Sequence, residues 1–287
     1  MKLSVVIPCY NAADTISEQL DSLSQQHWTE PWEVVVADNR CTDNSMAIVR
    51  QYYGKLPNLR IVDASDRQGQ PYALNVGANS AIGEALAFCD ADDVVGAGWV
   101  AAMGSALSHY NFVACRIDIK KLNEMWIQKS HGHPQEFGLN VYRYPPYLPH
   151  GGGGTIGVKK ILYQTIGGFD ESLPYLHDTD FCWRLQRSGT KLHFVPDAVM
   201  HVRYRDNLRG LYRQAQSYGE YNVLLYKRYR PLGMPKLQFK PVLDAWLVLP
   251  KRLYKIRSKE DIASWIWMYG WRTGRLKGCI KHRVMAP

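Results

Sequence analysis

The sequence predicts an α/β fold: a Rossmann-like, mostly parallel sheet flanked by helices, followed by a helical C-terminal extension. Two observations predict the sheet. Short apolar runs alternate with stretches of helical period over roughly 110 residues, as in a chain of β-α-β units. Several runs lead directly into acidic or amide residues, and ligands bind beyond the carboxyl ends of strands in such sheets. A third observation predicts the extension, because beyond Arg205 the sequence becomes aromatic and basic.

The elements of the first half are predicted from uninterrupted apolar runs and from capping residues. Strands are predicted at 3–7, 32–37, 59–62 and 85–89. Helices are predicted from Asp14 or Thr15 to about Gln26, and at 45–53, 71–80 and 99–107. Pro8 is expected to end the first strand, since it has no N–H to donate. The alternating order predicts parallel strands joined by right-handed crossovers.

The second half is less regular. Residues 120–150 are rich in His, Pro and Tyr and are expected to form a loop-rich excursion, followed by four glycines at 151–154. Residues 156–166 are predicted to form a helix or turn, 178–188 a helix, and 191–195 a short strand that ends before Pro196. Aromatic and basic helices are predicted at 209–228, 241–257 and 261–277.

Composition narrows the class of protein. Apolar residues make up 46% of the chain, which is enough for a sizeable core. The six cysteines form no C-x-x-C pair and no zinc spacing, so they are interpreted as buried thiols in a reducing compartment. The first residues hold no apolar stretch long enough for a signal peptide, and none approaches the roughly 20 residues of a membrane span. We therefore expect a cytoplasmic protein, with a peripheral position on the inner face of the cell membrane as a further expectation.

The net charge of +9 is unevenly distributed. From Arg203 onward there are 19 Lys and Arg against 5 Asp and Glu, a net charge of +14, and the preceding residues are net acidic. A basic tail suits anionic lipid, nucleic acid or an acidic substrate. The acidic remainder argues against a chain organised around nucleic acid, and we expect no nucleic-acid partner.

Three segments fall at predicted strand ends: Pro8 to Asn11, Asp38 with Asn39, and Asp90 to Asp93. Asp90, Ala91 and Asp92 form a D-x-D motif, whose paired hard oxygens suit Mg²⁺ or Mn²⁺ bridging two phosphates. A metal there neutralises charge on a departing diphosphate. The alternative is a solvated acidic turn, which the preceding apolar strand makes less favourable.

Two further segments leave alternatives open. Asp38 can accept hydrogen bonds from a base or ribose, or it can cap the next helix. The loop from Arg67 through Gly69 to Asn75 offers a cation, a glycine and a helix N-terminus to a phosphate, but an ordinary surface loop explains it equally well.

Taken together, the motifs resemble the family 2 glycosyltransferases with the GT-A fold. Five blocks carry the resemblance in the family's order: residues 4–11, 34–45, 73–77, 88–93, and 167–171 followed by 178–185. The match covers roughly residues 3–203. The resemblance implies an inverting enzyme. Because the Q-x-x-R-W motif of processive synthases and membrane spans are both absent from the sequence, transfer of a single sugar is expected instead of polymerisation. It also implies a catalytic domain at 1–205, with a nucleotide-sugar half at 1–115 and an acceptor half at 116–205, before an extension at 206–287.

The resemblance assigns roles to individual positions. Asp178 would be the general base and Asp92 a ligand of Mn²⁺ or Mg²⁺. His201 is a second candidate ligand, with a surface or packed histidine as the alternative. The acceptor would meet Gly153, Gly154, His177 and Asp180, the last also a fallback base. The nucleotide would contact Pro8, Tyr10, Asn11, Asp38, Asn39, Arg67, Gly69, Asn75, Asp90 and Ala91.

One departure from the family pattern stands beside the expected base. The family usually has Glu before that Asp, and this chain has His177, which can alter the pKa of the base or the contacts of the acceptor. The nearby His150 can line the acceptor pocket or belong to the loop. The glycine run can let an acceptor approach the backbone or form a mobile lid.

The expected partners are a nucleotide-sugar donor, with UDP favoured through the resemblance, and a saccharide or lipid-linked acceptor. The C-terminal extension mixes Trp and Leu with Lys and Arg, which suits an anionic membrane surface; the alternative is helices packed on the catalytic domain or on a second subunit, so a homodimer stays open.

Three other functions fit the sequence less well. A sugar nucleotidyltransferase would need a glycine-rich, basic loop after the first strand, and residues 8–13 lack both features. A non-catalytic basic module that binds anionic lipid or nucleic acid would leave the four aspartates Asp38, Asp90, Asp92 and Asp178 unexplained. A dinucleotide dehydrogenase is disfavoured because the glycine fingerprint is missing.

Overall fold

The structure is a computed structural model that describes residues 2–131, 134–142 and 145–286. The described chain forms two compact units. The first comprises Met1–Asp118, Gln135–Asn140 and Pro149–Arg203, and the second Ile119–Pro134, Val141–Leu148 and Tyr204–Pro287. The second unit therefore includes two segments from the middle of the chain as well as the C-terminal extension.

The first unit is built on one sheet. Its strands are β1 (Leu3–Cys9), β2 (Trp32–Asp38), β3 (Arg60–Asp63), β4 (Ala85–Phe88), β5 (Val94–Val95), β6 (Phe112–Asp118), β7 (Ile156–Lys159) and β8 (His193–His201). Their order across the sheet is β3-β2-β1-β4-β7-β6-β8-β5. The pairs β1–β2, β1–β4, β2–β3 and β6–β8 are parallel, and β4–β7, β6–β7 and β5–β8 are antiparallel. The predicted α/β class with a mostly parallel sheet is confirmed.

Helices flank the sheet and make up most of the second unit. Those of the first unit are α1 (Ile16–Ser24), α2 (Ser45–Arg50), α3 (Gln70–Ser80), α4 (Trp99–His109), α6 (Lys160–Thr165) and α7 (His177–Arg187). Those of the second unit are α5 (Met125–His131), α8 (Leu208–Tyr229), α9 (Phe239–Leu253) and α10 (Lys259–His282). The loop-rich excursion predicted at 120–150 thus contains one helix, α5.

Pro8 does not end the first strand. β1 continues to Cys9, with Pro8 opposite Ala37 of β2. Along a strand, the backbone N–H and C=O groups of successive residues point alternately to the two neighbouring strands. The Val6 carbonyl accepts from the Cys89 N–H, so the backbone groups of Val6 point to the β4 side. Pro8, two residues on, therefore faces the same side, where the pairing with β4 has already ended at Val6 and Phe88. The missing N–H costs no sheet hydrogen bond there.

Residues 156–166 do not form one helix or turn. Ile156–Lys159 is the antiparallel strand β7, inserted between β4 and β6, and α6 begins only at Lys160. Gly157 explains the insertion, because a Cβ there would lie 2.8 Å from Met103 Cε and 3.0 Å from Val113 Cγ2. A strand of four residues carries too little periodicity to distinguish it from a helix start.

Pro196 does not end the strand that was predicted at 191–195. β8 runs from His193 to His201, and its register against β6 shifts between Cys115 and Arg116. Val195 pairs with Cys115 and Val199 pairs with Arg116, so the three residues 196–198 of β8 lie opposite this single step of β6. A bulge of this kind accommodates a proline inside a paired strand, because the bulged residue makes no ladder hydrogen bond.

The second unit is held together by close contact between α8 and α10. Gly219 of α8 faces the backbone of Trp271 and Arg275 on α10, and Gly274 of α10 faces the backbone of Gln216 on α8, so neither position has room for a Cβ. Glu220, which is 4% exposed, bonds to Lys277 and Lys281 at 2.8 and 2.6 Å. In the described part of the chain, no helix is both long enough and apolar enough to cross a membrane.

Candidate functional site

The carboxyl ends of three adjacent strands lie level with one another. Cys9, Asp38 and Asp63 are in register across β1, β2 and β3, so the loops that follow share one edge of the sheet. Tyr10, directly after β1, is 51% exposed. Asn11 has a φ of 47°, and its Oδ1 accepts hydrogen bonds from the Thr42 N–H and hydroxyl at 2.8 and 3.3 Å. The loop after β1 is thereby tied to the loop after β2.

Asp38 and Asn39 hold the loops at this edge in different ways. The Oδ1 of Asp38 accepts from the Cys41 N–H at 2.9 Å, which closes a turn and leaves Oδ2 available. The side chain of Asn39 is 3% exposed, donates to the carbonyls of Ala64 and Arg67, and accepts from Gly69 N–H at 2.7 Å. Asn39 therefore positions the loop that precedes α3.

The loop from Arg67 to Gly69 leads into the N-terminus of α3. Gly69 has a φ of 149°, a conformation that side chains rarely adopt, and a Cβ there would meet no atom within 4 Å. Arg67 is well exposed, pairs with Glu171 at 2.8 Å and stacks over the Tyr72 ring. The helix N-terminus at Gln70 has the polarity that favours an anion.

Asn75 joins α3 to the Gly-Gly-Phe-Asp segment at 167–170. Its amide donates to the Phe169 carbonyl and to Glu171, both at about 3 Å, and its Oδ1 accepts from Phe169 N–H and the Tyr163 hydroxyl. Gly168 approaches so closely that a Cβ would lie 2.6 Å from Asn75 Oδ1. Asn75 thus links the predicted nucleotide half to the predicted acceptor half within the first unit.

Three aspartates converge beyond β4. Asp90 is half-buried, and its Oδ1 accepts from Gln70 Nε2 at 2.8 Å. The pKa of Asp90 is raised to about 7, mainly by loss of solvation and then by the charges of Asp92 and Asp178, while the Gln70 hydrogen bond opposes the rise. The influence of both aspartates on Asp90 shows that residues far apart in sequence share one acidic site.

The glycine run packs against this acidic site. A Cβ on Gly154 would lie 3.1 Å from Asp90 Oδ2, and a Cβ on Gly153 would lie 3.9 Å from Asp178 Oδ2 and 3.8 Å from His177 Nε2. The two glycines therefore lie beside carboxylates that belong to β4 and α7. Their lack of a side chain leaves the carboxylates accessible from the glycine side.

Asp178 and Asp180 occupy different environments on α7. Asp178 lies in the first turn, where the helix N-terminus favours a carboxylate, and its Oδ1 accepts from Thr179 N–H at 2.7 Å. Asp180 is 2% exposed and forms an ion pair with Arg184 at 2.7 Å. Arg184 also donates to the carbonyls of Ile166 and Gly168. Asp180 is therefore engaged by an ion pair, whereas Oδ2 of Asp178 lies toward Gly153.

Two histidines adjoin Asp178. His177 is 5% exposed, its ring meets Phe169 edge to face, and neither ring nitrogen has a hydrogen-bond partner within the described residues. Burial lowers the pKa of His177, and Asp178 and Asp180 only partly oppose this. Burial likewise lowers the pKa of His150 to about 4, with Asp178 again opposing. Both rings are therefore neutral near pH 7.

The backbone of the acidic loop is held by residues that sequence analysis missed. Gln19 of α1 donates to the Asp90 carbonyl at 3.1 Å and accepts from Val95 N–H at 3.0 Å. Arg203 donates its N–H to Asp93 and its Nε to the Asp92 carbonyl. Burial, with the charges of Asp90 and Asp92, raises the pKa of Asp93, and Arg203 opposes this. Asp93 directly follows the D-x-D motif, but no local signal marks Gln19 or Arg203.

The carboxylates of the acidic site have the chemistry of ligands for a divalent cation such as Mg²⁺ or Mn²⁺. Mutually repelling hard oxygens of Asp90 and Asp92 are the ligands these ions prefer. In the described ranges, no group of three or more His, Cys, Asp or Glu is arranged to hold a metal. The Nδ1 of His201 bonds to Asp118 at 2.9 Å, and metal-binding histidines often have a carboxylate in this position on their other ring nitrogen.

Comparison with known proteins identifies relatives. The sequence model of the family described as "Glycosyl transferase family 2" matches residues 4–167 of this chain. A poly(ribitol-phosphate) beta-glucosyltransferase of Bacillus spizizenii is 39% identical over 114 residues, which cover 39% of this chain and 17% of that protein. The chain thus spans a small part of the length of this relative.

Solved structures share the fold. A mannosyltransferase from Pyrobaculum calidifontis, in complex with GDP-Man and Mn²⁺, aligns with a TM-score of 0.66 at 19% identity and covers 96% of this chain and 87% of its own. TarS of S. aureus, in complex with UDP-GlcNAc, aligns with a TM-score of 0.57 at 18% identity. The alignment covers 100% of this chain and 93% of the TarS chain. The predicted GT-A fold is confirmed. Since the family match extends over more than half of the sequence, the chain belongs to glycosyl transferase family 2.

Proposed function

We propose that this chain is an inverting glycosyltransferase that moves one sugar from a nucleoside-diphosphate sugar to a hydroxyl of a saccharide or lipid-linked acceptor. The observation that carries the proposal is the convergence of Asp90, Asp92 and Asp178 beside Gly153 and Gly154. Such a site offers carboxylates for a metal–diphosphate complex and a further carboxylate for a proton. Family membership supports the same reaction class.

The donor would lie along the carboxyl ends of β1, β2 and β4. Tyr10 is exposed for stacking on a base, and Asp38 has one oxygen available for a base or ribose. Asp92, with His201, would hold Mn²⁺ or Mg²⁺, and Asp90 would support this metal or the ribose. When bound, the metal would supply positive charge against the leaving diphosphate. Asn39, Asn75 and Arg203 position the surrounding loops.

The acceptor would enter beside the glycine run. Asp178 would accept the proton of the acceptor hydroxyl as its oxygen bonds to the anomeric carbon of the donor sugar. The bond from that carbon to the diphosphate oxygen breaks with its electron pair leaving on the diphosphate. Attack from the face opposite the leaving group gives inversion. Oδ2 of Asp178 lies toward Gly153, which leaves space for a hydroxyl.

The relatives support a nucleotide-sugar donor without choosing one. The TarS structure contains UDP-GlcNAc and the mannosyltransferase structure GDP-Man with Mn²⁺. The Bacillus spizizenii relative is named a beta-glucosyltransferase of poly(ribitol phosphate). We propose a UDP-sugar donor, because TarS, whose structure contains UDP-GlcNAc, is also a relative in sequence, 32% identical over 132 residues.

The test is hydrolysis of the donor by purified protein. UDP-, GDP- and TDP-sugars are incubated with Mn²⁺, with Mg²⁺ or with EDTA, and release of the nucleoside diphosphate is measured. Metal-dependent release from one donor, lost in Asp92→Ala and kept in Asp197→Ala on the exposed part of β8, is the expected result. Calorimetry with each nucleotide and metal accompanies it. Absence of both hydrolysis and nucleotide binding would overturn the proposal.

A further inference from the structure

The C-terminal unit contains a helix with an exposed apolar stripe. On α9, Leu243 and Leu247 are 61% and 51% exposed, and Tyr254 just beyond it is 80% exposed. Together with Pro250 they follow one another at intervals of four, three and four residues, so they lie on one face. The opposite face carries Leu249, which is 5% exposed and accepts a hydrogen bond from Trp265 of α10. The stripe therefore points away from α10.

Basic residues flank this stripe. Lys240 precedes it, and Lys251, Arg252 and Lys255 follow at the end of the helix, all exposed. Asp244 is the one acidic residue between positions 239 and 257 of the sequence. An apolar face bordered by Lys and Arg is the pattern of a helix that lies in the interface of an anionic membrane.

A basic cleft lies between the end of α9 and α10. Its lining residues are Arg252, Lys255, Asp261, Ser264, Trp265 and Met268. Asp261 accepts hydrogen bonds from Ser258 and from the N–H of Arg257, and the lining holds two cations against this one carboxylate.

Arg272 of α10 adds a second cation close to Arg252. Its Nη1 donates to the Met268 carbonyl, and its buried Nε has no hydrogen-bond partner among the described residues. Burial lowers the pKa of Arg272, and the nearby charge of Arg252 lowers it further. Neither Arg252 of the cleft nor Arg272 forms an ion pair in the described chain, so their positive charge favours a phosphate at this end of the unit.

We propose that α9 docks the protein onto a bilayer that contains anionic phospholipid. Leu243, Leu247 and Tyr254 enter the boundary between head groups and acyl chains, while the cations around the cleft bind head-group phosphates. The exposed cations at the end of α9 and in the cleft complement the negative charge of anionic head groups, which favours a bilayer as the occupant of the stripe. The proposal concerns the second unit and does not depend on the donor or acceptor proposed above.

The test is sedimentation of the full chain with vesicles. Vesicles of phosphatidylcholine alone are compared with vesicles that contain about 30% phosphatidylglycerol, at low and at raised salt. We expect binding to the anionic vesicles about tenfold tighter than to the neutral ones, and weaker binding as salt rises. Equal binding to both compositions, or none to either, would overturn the proposal.

Matched variants separate the apolar and the charged contributions. L243Q/L247Q is compared with I82Q/I161Q, which removes equally exposed side chains from the first unit. K251Q/K255Q is compared with K55Q/K191Q, exposed lysines of that unit. Each α9 variant should bind anionic vesicles about tenfold more weakly than its control, with an unchanged circular dichroism spectrum.

The alternative occupant of the stripe is a second copy of the chain. Light scattering without vesicles is recorded for the wild type and for L243Q/L247Q. If the wild type is monomeric, or if the variant has the same mass as the wild type, the stripe is not a subunit interface, and this supports the membrane as its occupant. A wild-type dimer that L243Q/L247Q converts to a monomer would show that the stripe is a subunit interface and would overturn the proposal.

Discussion

At the scale of single residues, side chains that are neighbours in sequence lie in different surroundings, and this difference determines which of them is available at the site. Asp178 and Asp180 lie on one turn of α7, yet Asp180 is paired with Arg184 and Asp178 faces the glycine run. His177 beside them is buried and neutral near pH 7, so it places no positive charge next to Asp178. The position where the family usually has Glu is therefore occupied here by an uncharged ring.

Asp178→Asn should lower the rate of sugar transfer by about 100-fold or more, because it removes the proton acceptor while it preserves the shape of the side chain. Nucleotide binding, measured by calorimetry, should change little. Asp180→Asn is the matched comparison, and it should lower thermal stability because Arg184 loses its buried partner. Wild-type transfer by Asp178→Asn would refute the assignment.

Gly154→Ala should abolish most donor hydrolysis without unfolding the protein. The new Cβ would lie 3.1 Å from Asp90 Oδ2 and 3.2 Å from its backbone N, so the carboxylate must move. Gly138→Ala is the control, since no atom lies within 4 Å of a Cβ at that position. Nucleoside diphosphate release by both variants is the measurement, and equal rates would show that the glycine is not needed for the site.

At the scale of elements, the sheet edge and the helices around it hold the loops that carry the site. β2 has a buried anchor of its own in Glu33, whose side chain is fully buried. It accepts hydrogen bonds from Ser4, from Ile82 N–H at 2.7 Å and from Arg60 at 2.7 Å. These contacts join β1, β2 and β3 to the turn before β4, which fixes the strands whose carboxyl ends define the site.

Glu33→Gln should lower the free energy of unfolding by about 2 kcal/mol at pH 7. Burial alone would raise the pKa of Glu33, but hydrogen bonds from Ser4, Ile82 and Arg60 outweigh it, and the pKa is lowered. Because the folded pKa lies below the unfolded value, this stabilisation is present above the unfolded pKa and is lost as pH falls through the folded pKa.

Denaturant unfolding at several pH values measures this difference. The gap between wild type and Glu33→Gln should be widest near neutral pH and should shrink as pH falls below about 4. Glu30→Gln, exposed in the loop before β2, is the control and should show no such gap. A gap that stays constant with pH would contradict an ionised Glu33.

At the scale of the whole molecule, chemistry and charge are divided between two units. The predicted site residues all lie in the first unit, whereas most of the basic excess lies in the second. The ligands proposed for the two units therefore differ: a divalent cation with a nucleoside diphosphate for the acidic site, and an anionic head group for the basic cleft.

UDP together with Mn²⁺ should raise the melting temperature of the protein, and either ligand alone should raise it less. A ligand present at about 100 times its dissociation constant stabilises the folded state by about 2.7 kcal/mol. EDTA should remove the increase, and Asp92→Ala should not show it. The control is K251Q/K255Q at the end of α9, whose melting temperature should rise as much as that of the wild type. An increase in Asp92→Ala equal to that of wild type would remove this residue from the metal site.

Sequence alone determined the fold class, the order of the first strands and the family, because apolar runs, their spacing and the five blocks are local properties of the chain. It did not distinguish β7 from a helix start, nor did it show that Pro8 and Pro196 lie inside strands. Those outcomes depend on which neighbouring strand faces each residue, and pairing partners lie far away in sequence.

Tertiary structure also decided how the site is assembled. It brought Gly154 against Asp90, gave Asn75 to the segment at 167–171, and paired Asp180 with Arg184. It recruited Gln19 and Arg203, which no motif marks, to hold the acidic loop. A motif records which groups are present, whereas the availability of each group depends on burial and on hydrogen bonds to distant residues. Only the folded chain determines those.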